Sequence, residues 1–282
     1  MSLAAARGWL ACPHCRQPLD VGARTVTCPT GHSFDIARRG YVNLLGGPEP
    51  ANADTSAMVA ARQRVHAAGV FDAVADAVAG TVNAGFGERW RVSSKGENLP
   101  RRLVDVGAGP ATYLHRCLAD DPSRHGVALD VSRAAARAAA KADPHAASVV
   151  ADVWRYVPLL DGSADAVLAV FAPRNPSEFA RVLRPGGILV VVTPTPAHLA
   201  VLRETYHLLD IPSDKEEHLG RMLGDAFELT ATTSVAYPFE ADATLARDLV
   251  AMGPNAFHHV PEPTGPLADR IDVTVSVYAA AE

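Results

Sequence analysis

Four side chains near the start of the chain have the spacing of a metal site. Cys12 and Cys15 form a Cys-x-x-Cys pair, and after twelve residues Cys28 and His32 form a Cys-x-x-x-His pair. Zinc prefers four soft or borderline ligands in a tetrahedron, and three cysteines with one histidine are a standard structural set. A redox-active Cys-x-x-Cys is the rival interpretation, but no strand-and-helix frame surrounds this pair. The spacing therefore predicts a structural Zn²⁺ site with no open position for catalysis.

A second group of chemistry-bearing residues surrounds a glycine-rich turn. The apolar run 103–106 contains Asp105 and leads into Gly107 and Gly109, after which a helix-compatible run begins. Glycine allows positive φ angles and lets a ligand approach the backbone closely. Because the third glycine of the dinucleotide fingerprint is absent, a pyrophosphate is disfavoured. S-adenosylmethionine (SAM), which has no phosphate, suits the turn better.

Two more acids follow predicted strands of the same region. Asp130 ends a strand 21 positions after Gly109, where nucleoside-binding α/β folds place an acid that accepts hydrogen bonds from ribose hydroxyls. Asp152 ends the next strand, where it can reach an adenine amine. Each acid alone is more commonly a turn residue. Three acids at the carboxyl ends of parallel strands, beside a glycine loop, favour a nucleoside site.

Alternating strands and helices are expected to position these residues. Five continuous apolar runs are typical of parallel strands buried on both faces. They cover residues 102–106, 126–130, 147–151, 164–170 and 188–192. Two later strands, 227–233 and 271–278, are expected to form an antiparallel pair. The sequence therefore predicts an α/β fold with a Rossmann-like, mostly parallel sheet of seven strands.

The segment between the two groups of residues has the composition of a contact surface followed by a linker. Residues 34–45 combine Arg38 and Arg39 with an aromatic and an amide, a mixture that fits either an RNA contact surface or a segment that docks one domain on another. Residues 46–53 are rich in Gly and Pro and are typical of a linker. Helices are predicted over 56–66, 71–82, 199–209 and 239–252, and an exposed loop over 84–102.

Composition limits the class of protein. The 282 residues are 48% hydrophobic, which is enough for a large core. No apolar run approaches the roughly 20 residues that cross a bilayer, and the first ten residues lack the apolar stretch of a signal peptide. We therefore expect a cytoplasmic protein without a membrane partner. The formal net charge of −5 argues against a broad electrostatic grip on nucleic acid, although a local basic patch can suffice.

Both groups of residues, together with the run His-Ser-Phe-Asp-Ile-Ala-Arg-Arg-Gly-Tyr-Val-Asn-Leu-Leu at 32–45, resemble the 23S rRNA (guanine-N1)-methyltransferase family over nearly the whole chain. The resemblance implies a class I SAM-methyltransferase fold with a small N-terminal zinc-binding domain. It also implies methyl transfer to N1 of a guanine in a 23S rRNA hairpin. One of the family's two subtypes is associated with macrolide resistance, and the sequence Ala-Pro-Arg-Asn-Pro at 172–176 is closer to that subtype. The expected division is a zinc-binding, RNA-recognising domain over 1–45, a linker and helical segment over 46–101, and the methyltransferase domain over 102–282.

The resemblance also assigns roles at matching positions. It assigns zinc ligation to the two cysteine-containing pairs. It assigns SAM contacts to the glycine loop, to the histidine of a Thr-Pro-x-x-x-His pattern and to Phe71, where the family often has tyrosine. With the strand-end acids, the expected SAM contacts are Phe71, Asp105, Gly107, Gly109, Pro110, Asp130, Asp152 and His198. Arg174 and Asn175 are expected to orient the guanine. Arg38 and Arg39 are expected to help hold the hairpin over the SAM site, in a chain that forms a homodimer.

Two other functions stay open from the sequence. A SAM-dependent methyltransferase for a small molecule would explain the acidic net charge. A SAM- or RNA-binding protein without catalysis is suggested by Pro110 and Ala111, which stand where family loops often have other residues, glycine among them.

Overall fold

The computed structural model describes residues 2–86, 101–141, 143–212, 215–253 and 263–281. Most of the loop predicted over 84–102 lies outside the described residues. We number the strands and helices of the described residues in chain order. The strands are β1 (Asp20–Val21), β2 (Thr25–Thr27), β3 (Ser33–Asp35), β4 (Tyr41–Asn43), β5 (Arg102–Val106), β6 (His125–Asp130), β7 (Ala146–Val150), β8 (Ala164–Val170), β9 (Leu183–Pro194), β10 (Phe227–Ala241) and β11 (Leu267–Ala280). The helices are α1 (Ser56–Ala67), α2 (Asp72–Gly85), α3 (Thr112–Ala119), α4 (Arg133–Ala139), α5 (Pro176–Val182), α6 (Ala200–Thr205), α7 (Lys215–Leu223) and α8 (Ala243–Ala251).

Eight strands form one sheet in the order β10-β11-β9-β8-β5-β6-β7-β4. Neighbours from β9 to β4 run parallel, whereas β11 runs antiparallel to both β9 and β10. The mostly parallel sheet and the antiparallel last pair are therefore confirmed. Between β5 and β8 the strand order changes direction, and sheets of this kind bind ligands outside the carboxyl ends of the strands at that point.

The N-terminal ribbon, by which we mean residues 10–45, is attached to this sheet by backbone hydrogen bonds. β1, β2 and β3 form a separate three-stranded antiparallel sheet, but β4 pairs with β7 and adds an eighth strand to the seven predicted. The backbone N–H of Ala11 donates to the carbonyl of Pro158, and that of Leu160 donates to the carbonyl of Trp9. Residues 41–44 therefore dock on the main sheet, as one of the two interpretations of 34–45 predicts, and an RNA contact by this segment stays a prediction.

Apolar side chains cover both faces of the sheet. Val104 and Val106 of β5 belong to a cluster that includes Trp9 and the ribbon. Leu103, on the opposite face of the same strand, belongs to a cluster with α2 and α3. This alternation follows from the period of two of a strand. The ribbon therefore shares a core with one face of the main sheet.

Two predicted helices are shorter in the structure. The helix predicted over 239–252 begins only at Ala243, after Asp242 caps it by accepting a hydrogen bond from the backbone N–H of Leu245. Residues 239–241 instead extend β10, because they pair in register with β11. The helix predicted over 199–209 spans Ala200–Thr205.

No single helix of the described residues is long and apolar enough to cross a membrane. Only α1 and α2 taken together meet the criteria of length and composition, and they are bent by 84°.

Candidate functional site

The four predicted zinc ligands meet in the N-terminal ribbon. Their ligand atoms all lie within 4.8 Å of one another. Cys12 Sγ is 3.5 Å from His32 Nδ1. Cys28 Sγ is 3.6 Å from Cys15 Sγ and 3.3 Å from His32 Nδ1. Ligands of a tetrahedral zinc ion stand about 3.5–3.8 Å apart. The donor set and its spacing therefore fit a structural Zn²⁺ ion.

Two tight turns hold these ligands. The backbone N–H of Arg16 donates to the carbonyl of Cys12, and that of Gly31 donates to the carbonyl of Cys28. Gly31 has a φ of +92°, which a residue with a β-carbon rarely adopts. Each turn thereby points two ligands to the same side.

Thr30, which the sequence analysis did not single out, polarises the thiols. Its Oγ1 lies 3.1 Å from the sulfur atoms of both Cys15 and Cys28. Burial opposes the ionisation of Cys28, but hydrogen bonds with Thr30 and His32 outweigh it and lower the pKa of this thiol to about 5. The hydrogen bond with Thr30 is also the main reason that the pKa of Cys15 is lowered. Zinc binds thiolates, so this polarisation favours metal binding.

A cavity of about 680 Å³ opens at the carboxyl ends of the parallel strands. Its lining includes seven of the eight residues expected to contact SAM, namely Phe71, Asp105, Gly107, Pro110, Asp130, Asp152 and His198. The eighth, Gly109, donates its backbone N–H to Asp130 Oδ2 at 2.8 Å. The cavity therefore gathers the residues expected to contact SAM.

The glycine loop has the backbone that a closely held ligand requires. Gly107 and Gly109 have φ angles of +61° and +55°. A β-carbon at Gly109 would lie 2.9 Å from Nη1 of Arg62, so the guanidinium would have to move to make room for it. Ala111 has a φ of +63° and keeps the left-handed conformation although it is not glycine. The loop therefore holds a left-handed backbone at this position without glycine.

Asp105 lies at the base of the cavity and is 1% exposed. Burial, reinforced by repulsion from Asp130, raises the pKa of Asp105 to about 8, although a hydrogen bond from the backbone of Leu114 opposes the shift. Among the described residues, Oδ2 of Asp105 has no hydrogen-bond partner. A buried carboxyl with a free oxygen suits the ammonium group of a ligand, and such a ligand would favour the ionised acid.

Asp130 is held by backbone donors. Its Oδ1 accepts from the N–H of Ser132 at 2.8 Å, and its Oδ2 accepts from Gly109. Burial raises the pKa of Asp130, and these two hydrogen bonds counteract the rise. Each oxygen keeps capacity for a further donor such as a ribose hydroxyl. The acids, the free oxygen and the cavity size therefore fit the charged and hydroxyl groups of SAM.

Five rings form an aromatic wall on one side of the cavity, namely His66, Phe71, Tyr113, Phe171 and His198. The Phe171 ring lies 6.0 Å from that of Phe71 and 5.7 Å from that of His198. Burial, aided by the charge of Arg62, lowers the pKa of His66 to about 4, so this ring is neutral at pH 7. Only Phe71 and His198 of the wall were predicted.

The predicted linker is part of the same cavity. Its residues Pro50, Asn52 and Ala53 line the cavity together with Asp54. Arg62 of α1 donates to Oδ2 of Asp54 and to the carbonyl of Met252, each at 2.5 Å. The hydroxyl of Ser132 donates to the carbonyl of Asp54 at 2.6 Å. Residues 50–54 therefore form a wall of the site and do not merely space two domains.

The cavity lining formed by the described residues includes neither Arg174 nor Asn175. Asn175 caps α5, and its Nδ2 donates to the carbonyls of Val153 and Trp154 at 2.9 and 3.1 Å. Burial lowers the pKa of Arg174, and its Nε has no hydrogen-bond partner among the described residues. A role of either residue in orienting a base stays a prediction.

Arg38 and Arg39 are exposed in the turn before β4. Because β4 runs parallel to β7, this turn lies toward the start of β7, whereas the cavity residues Ala151 and Asp152 follow its end. The two arginines and the cavity therefore lie toward opposite ends of these strands.

Comparisons with known proteins match both parts of the chain. The profile of the N-terminal zinc ribbon of RlmA matches residues 10–52, and a methyltransferase-domain profile matches residues 104–191. A 23S rRNA (guanine(748)-N1)-methyltransferase of Streptomyces fradiae is 41% identical over 276 residues, which are 95% of this chain and 94% of that protein.

Two further relatives agree. A Micromonospora griseorubida protein, provisionally named as a 23S rRNA (guanine-N1)-methyltransferase, is 40% identical over 282 residues, 96% of each chain. A Bacillus subtilis protein with the same provisional name is 30% identical over 198 residues, 68% of this chain and 67% of its own. With this identity across both the ribbon and the cavity, the chain belongs to the 23S rRNA (guanine-N1)-methyltransferase family.

Proposed function

We propose that this protein transfers a methyl group from SAM to N1 of a guanine in 23S rRNA, and that the guanine is the one named for the Streptomyces relative. The observation that carries the proposal is that 41% identity to that relative extends over 95% of the chain. It therefore includes both the zinc ribbon and the cavity.

The residues of the cavity divide the binding of SAM among them. When bound, SAM supplies an electrophilic methyl group on a sulfonium, so the protein mainly has to align donor and acceptor. Asp105 would receive the ammonium group, Asp130 the ribose hydroxyls and Asp152 the adenine amine. Phe71 and His198 would pack along the donor from the aromatic wall.

The acceptor must be exposed before it can react. N1 of guanine lies inside a Watson–Crick pair, so the base has to be unpaired or flipped, and N1 has to lose its proton. We propose that Asn175 helps to position the base through the carbonyls of Val153 and Trp154, with Arg174 beside it. Asn175→Ala is expected to reduce methyl transfer while SAM affinity stays unchanged.

A matched variant distinguishes the role of the side-chain oxygen of Asn175 from that of its amide nitrogen. Asn175→Asp keeps an oxygen that can cap α5 but loses the amide donors to residues 153 and 154. If this variant also loses turnover at normal thermal stability, the anchoring of the loop is the important contact. Full activity of Asn175→Asp would leave only a capping role.

We further propose that the substrate is an rRNA hairpin and that Arg38 and Arg39 contact the RNA backbone away from the cavity.

We also propose that the protein forms a homodimer. The outer edge of β10 pairs with no strand of the described residues, and residues 228–234 of this strand are exposed. Unpaired strand edges favour pairing with a second chain. Sedimentation velocity will show whether the mass in solution is that of two chains.

Primer extension on methylated rRNA tests the proposed function. The purified protein is incubated with labelled SAM and protein-free 23S rRNA, with Gly109→Val as a control because valine is strained at the φ of +55° of this position. An N1 methyl group blocks base pairing, so reverse transcriptase is expected to stop beside one guanine only with the unmodified protein. SAM binding without RNA labelling would favour a small-molecule substrate, and no SAM binding would favour a protein without catalysis.

Macrolide resistance stays a prediction. It is tested by measuring the drug susceptibility of a sensitive strain that expresses the gene.

A further inference from the structure

Two exposed aromatic side chains stand at the cavity. The large hydrophobic side chains that are exposed among the described residues are Trp154, Phe171, Val201, Leu209 and Leu229. The two aromatic members, Trp154 at 61% and Phe171 at 40% exposure, both line the cavity. Exposed apolar groups that gather at a cavity mark a binding site more often than scattered ones do.

The loop that carries Trp154 is fixed by its own hydrogen bonds. The backbone N–H of Trp154 donates to Oδ1 of Asp152 at 3.1 Å, and its carbonyl accepts from Asn175. The next two N–H groups, of Arg155 and Tyr156, donate to the carbonyl of Asp152. The ring is thus presented from a loop whose backbone is held on both sides of it.

Phe171 is placed by a left-handed backbone. It follows the last residue of β8 and has a φ of +53°, a conformation uncommon for a bulky side chain. Its ring does not enter the core but lies against Phe71, Tyr113 and His198 of the aromatic wall. Strain of this kind is found where a side chain must be aimed at a ligand.

We propose that Phe171 stacks on the target guanine and that Trp154 stacks on a neighbouring base of the same RNA. The inference rests on the proposed function. Unpaired bases are recognised by stacking on aromatic side chains, whatever their sequence. Phe171 is the less exposed ring and belongs to the wall beside the expected SAM contacts, so it faces the reacting base. Trp154 is the more exposed ring and faces a base farther out.

Matched variants separate stacking from simple filling of space. Trp154→Ala is expected to raise the KM and the Kd for the target hairpin RNA on the order of 10-fold, and Trp154→Phe to restore most of the affinity. Phe171→Ala and Phe171→Leu are expected to lower kcat on the order of 10-fold, since leucine keeps apolar volume but offers no ring, while Phe171→Tyr stays active. Val201→Ala, an exposed apolar change on α6 outside the cavity lining, is the control expected to behave as wild type.

Binding readouts keep the two proposals distinct. RNA affinity is measured by fluorescence anisotropy without turnover, and SAM affinity is measured by calorimetry. The SAM affinity should change less than twofold in all these variants. RNA should quench tryptophan emission in wild type, and Trp154→Phe should lose most of that quenching. An unchanged RNA affinity in Trp154→Ala, or a tenfold loss of SAM affinity in Phe171→Ala, would overturn the inference. Wild-type protein that binds the hairpin through Trp154 but methylates no guanine would instead refute the proposed function alone.

Discussion

The buried carboxyl of Asp105 ties the stability of the free protein to pH. Its pKa is raised from 3.8 to about 8 in the folded chain, so the folded state binds the proton more tightly than the unfolded state does. The free energy of unfolding is therefore highest below pH 4 as far as this group is concerned, and falls as the pH rises from about 4 to about 8. A ligand ammonium at Oδ2 would offset this loss, so the acid favours a filled site.

Asp105→Asn is expected to remove this dependence. At pH 8 the variant should be at least about 1 kcal/mol more stable than wild type, or about 2–4 °C in Tm, while at pH 5 the difference should shrink. Its affinity for SAM should fall, because a neutral amide cannot balance an ammonium. Urea unfolding at both pH values measures the effect, with Glu204→Gln, an exposed position on α6, as a control. An identical pH profile for wild type and Asp105→Asn would mean that Asp105 is ionised in the folded protein.

Single residues were predictable where their signal is local. The zinc ligands and the glycine loop are defined by spacing within a few residues, and the acids by their position after apolar runs. Arg62 could not be found in this way, since the carbonyl it binds, that of Met252, lies 190 positions away. Phe171 had only its place after β8 as a signal, and Trp154 only its nearness to Asp152.

Among the elements, an ion pair joins α1 to α8. Asp248 of α8 accepts from Nε and Nη2 of Arg64 at 2.7 and 2.6 Å. The carboxylate side chain is 11% exposed, whereas that of Arg64 is 58% exposed. The two partners should therefore respond differently to substitution, because only the carboxylate depends on the pair for its solvation. Met252, just after α8, lines the cavity, so the pair also sets the position of that wall.

Arg64→Ala is expected to be the more damaging of the two changes. It leaves a nearly buried carboxylate without its donor and should cost about 1–3 kcal/mol. Asp248→Asn leaves a guanidinium that water can solvate and should cost less than about 1 kcal/mol. Urea unfolding measures both, and calorimetry should show weaker SAM binding for Arg64→Ala. Equal losses for the two variants would show that the pair is no more than a screened surface contact.

Elements were predictable where one stretch of sequence decides them. The central strands are continuous apolar runs, and α4 begins after Ser132, a residue type that favours helix starts, whose hydroxyl accepts from two backbone N–H groups. The length of β10 was not predictable, because it depends on pairing with β11, and the same holds for β4, whose partner is more than 100 residues later. Long-range pairing thus explains both the missed strand and the shortened helix.

The molecule as a whole joins the ribbon to the cavity. Zinc would close the loops between residues 12 and 32, which share a core with the main sheet. Trp9 and Ala11, just before this segment, form hydrogen bonds with the backbone of residues 158–160. That backbone leads directly from the Trp154 loop. Although we predicted separate domains over 1–45 and 102–282, these contacts lead us to expect that they unfold together. Removal of zinc should then weaken the stability and binding of the cavity, although the cavity lies at a distance from the metal.

Cys28→Ser is expected to lower the stability of the whole protein, not of the ribbon alone. The variant should retain little zinc by elemental analysis, and calorimetry should show one unfolding transition lowered by about 10 °C or more, since structural zinc contributes folding energy directly. RNA affinity through Trp154 should fall together with it. Cys117→Ala is the control, because burial raises the pKa of this thiol to about 12 and it lies outside the ligand cluster, so zinc should be unaffected. A second, separate transition in Cys28→Ser, with the cavity still binding SAM and RNA normally, would show instead that the ribbon is an independent domain that melts without disturbing the rest.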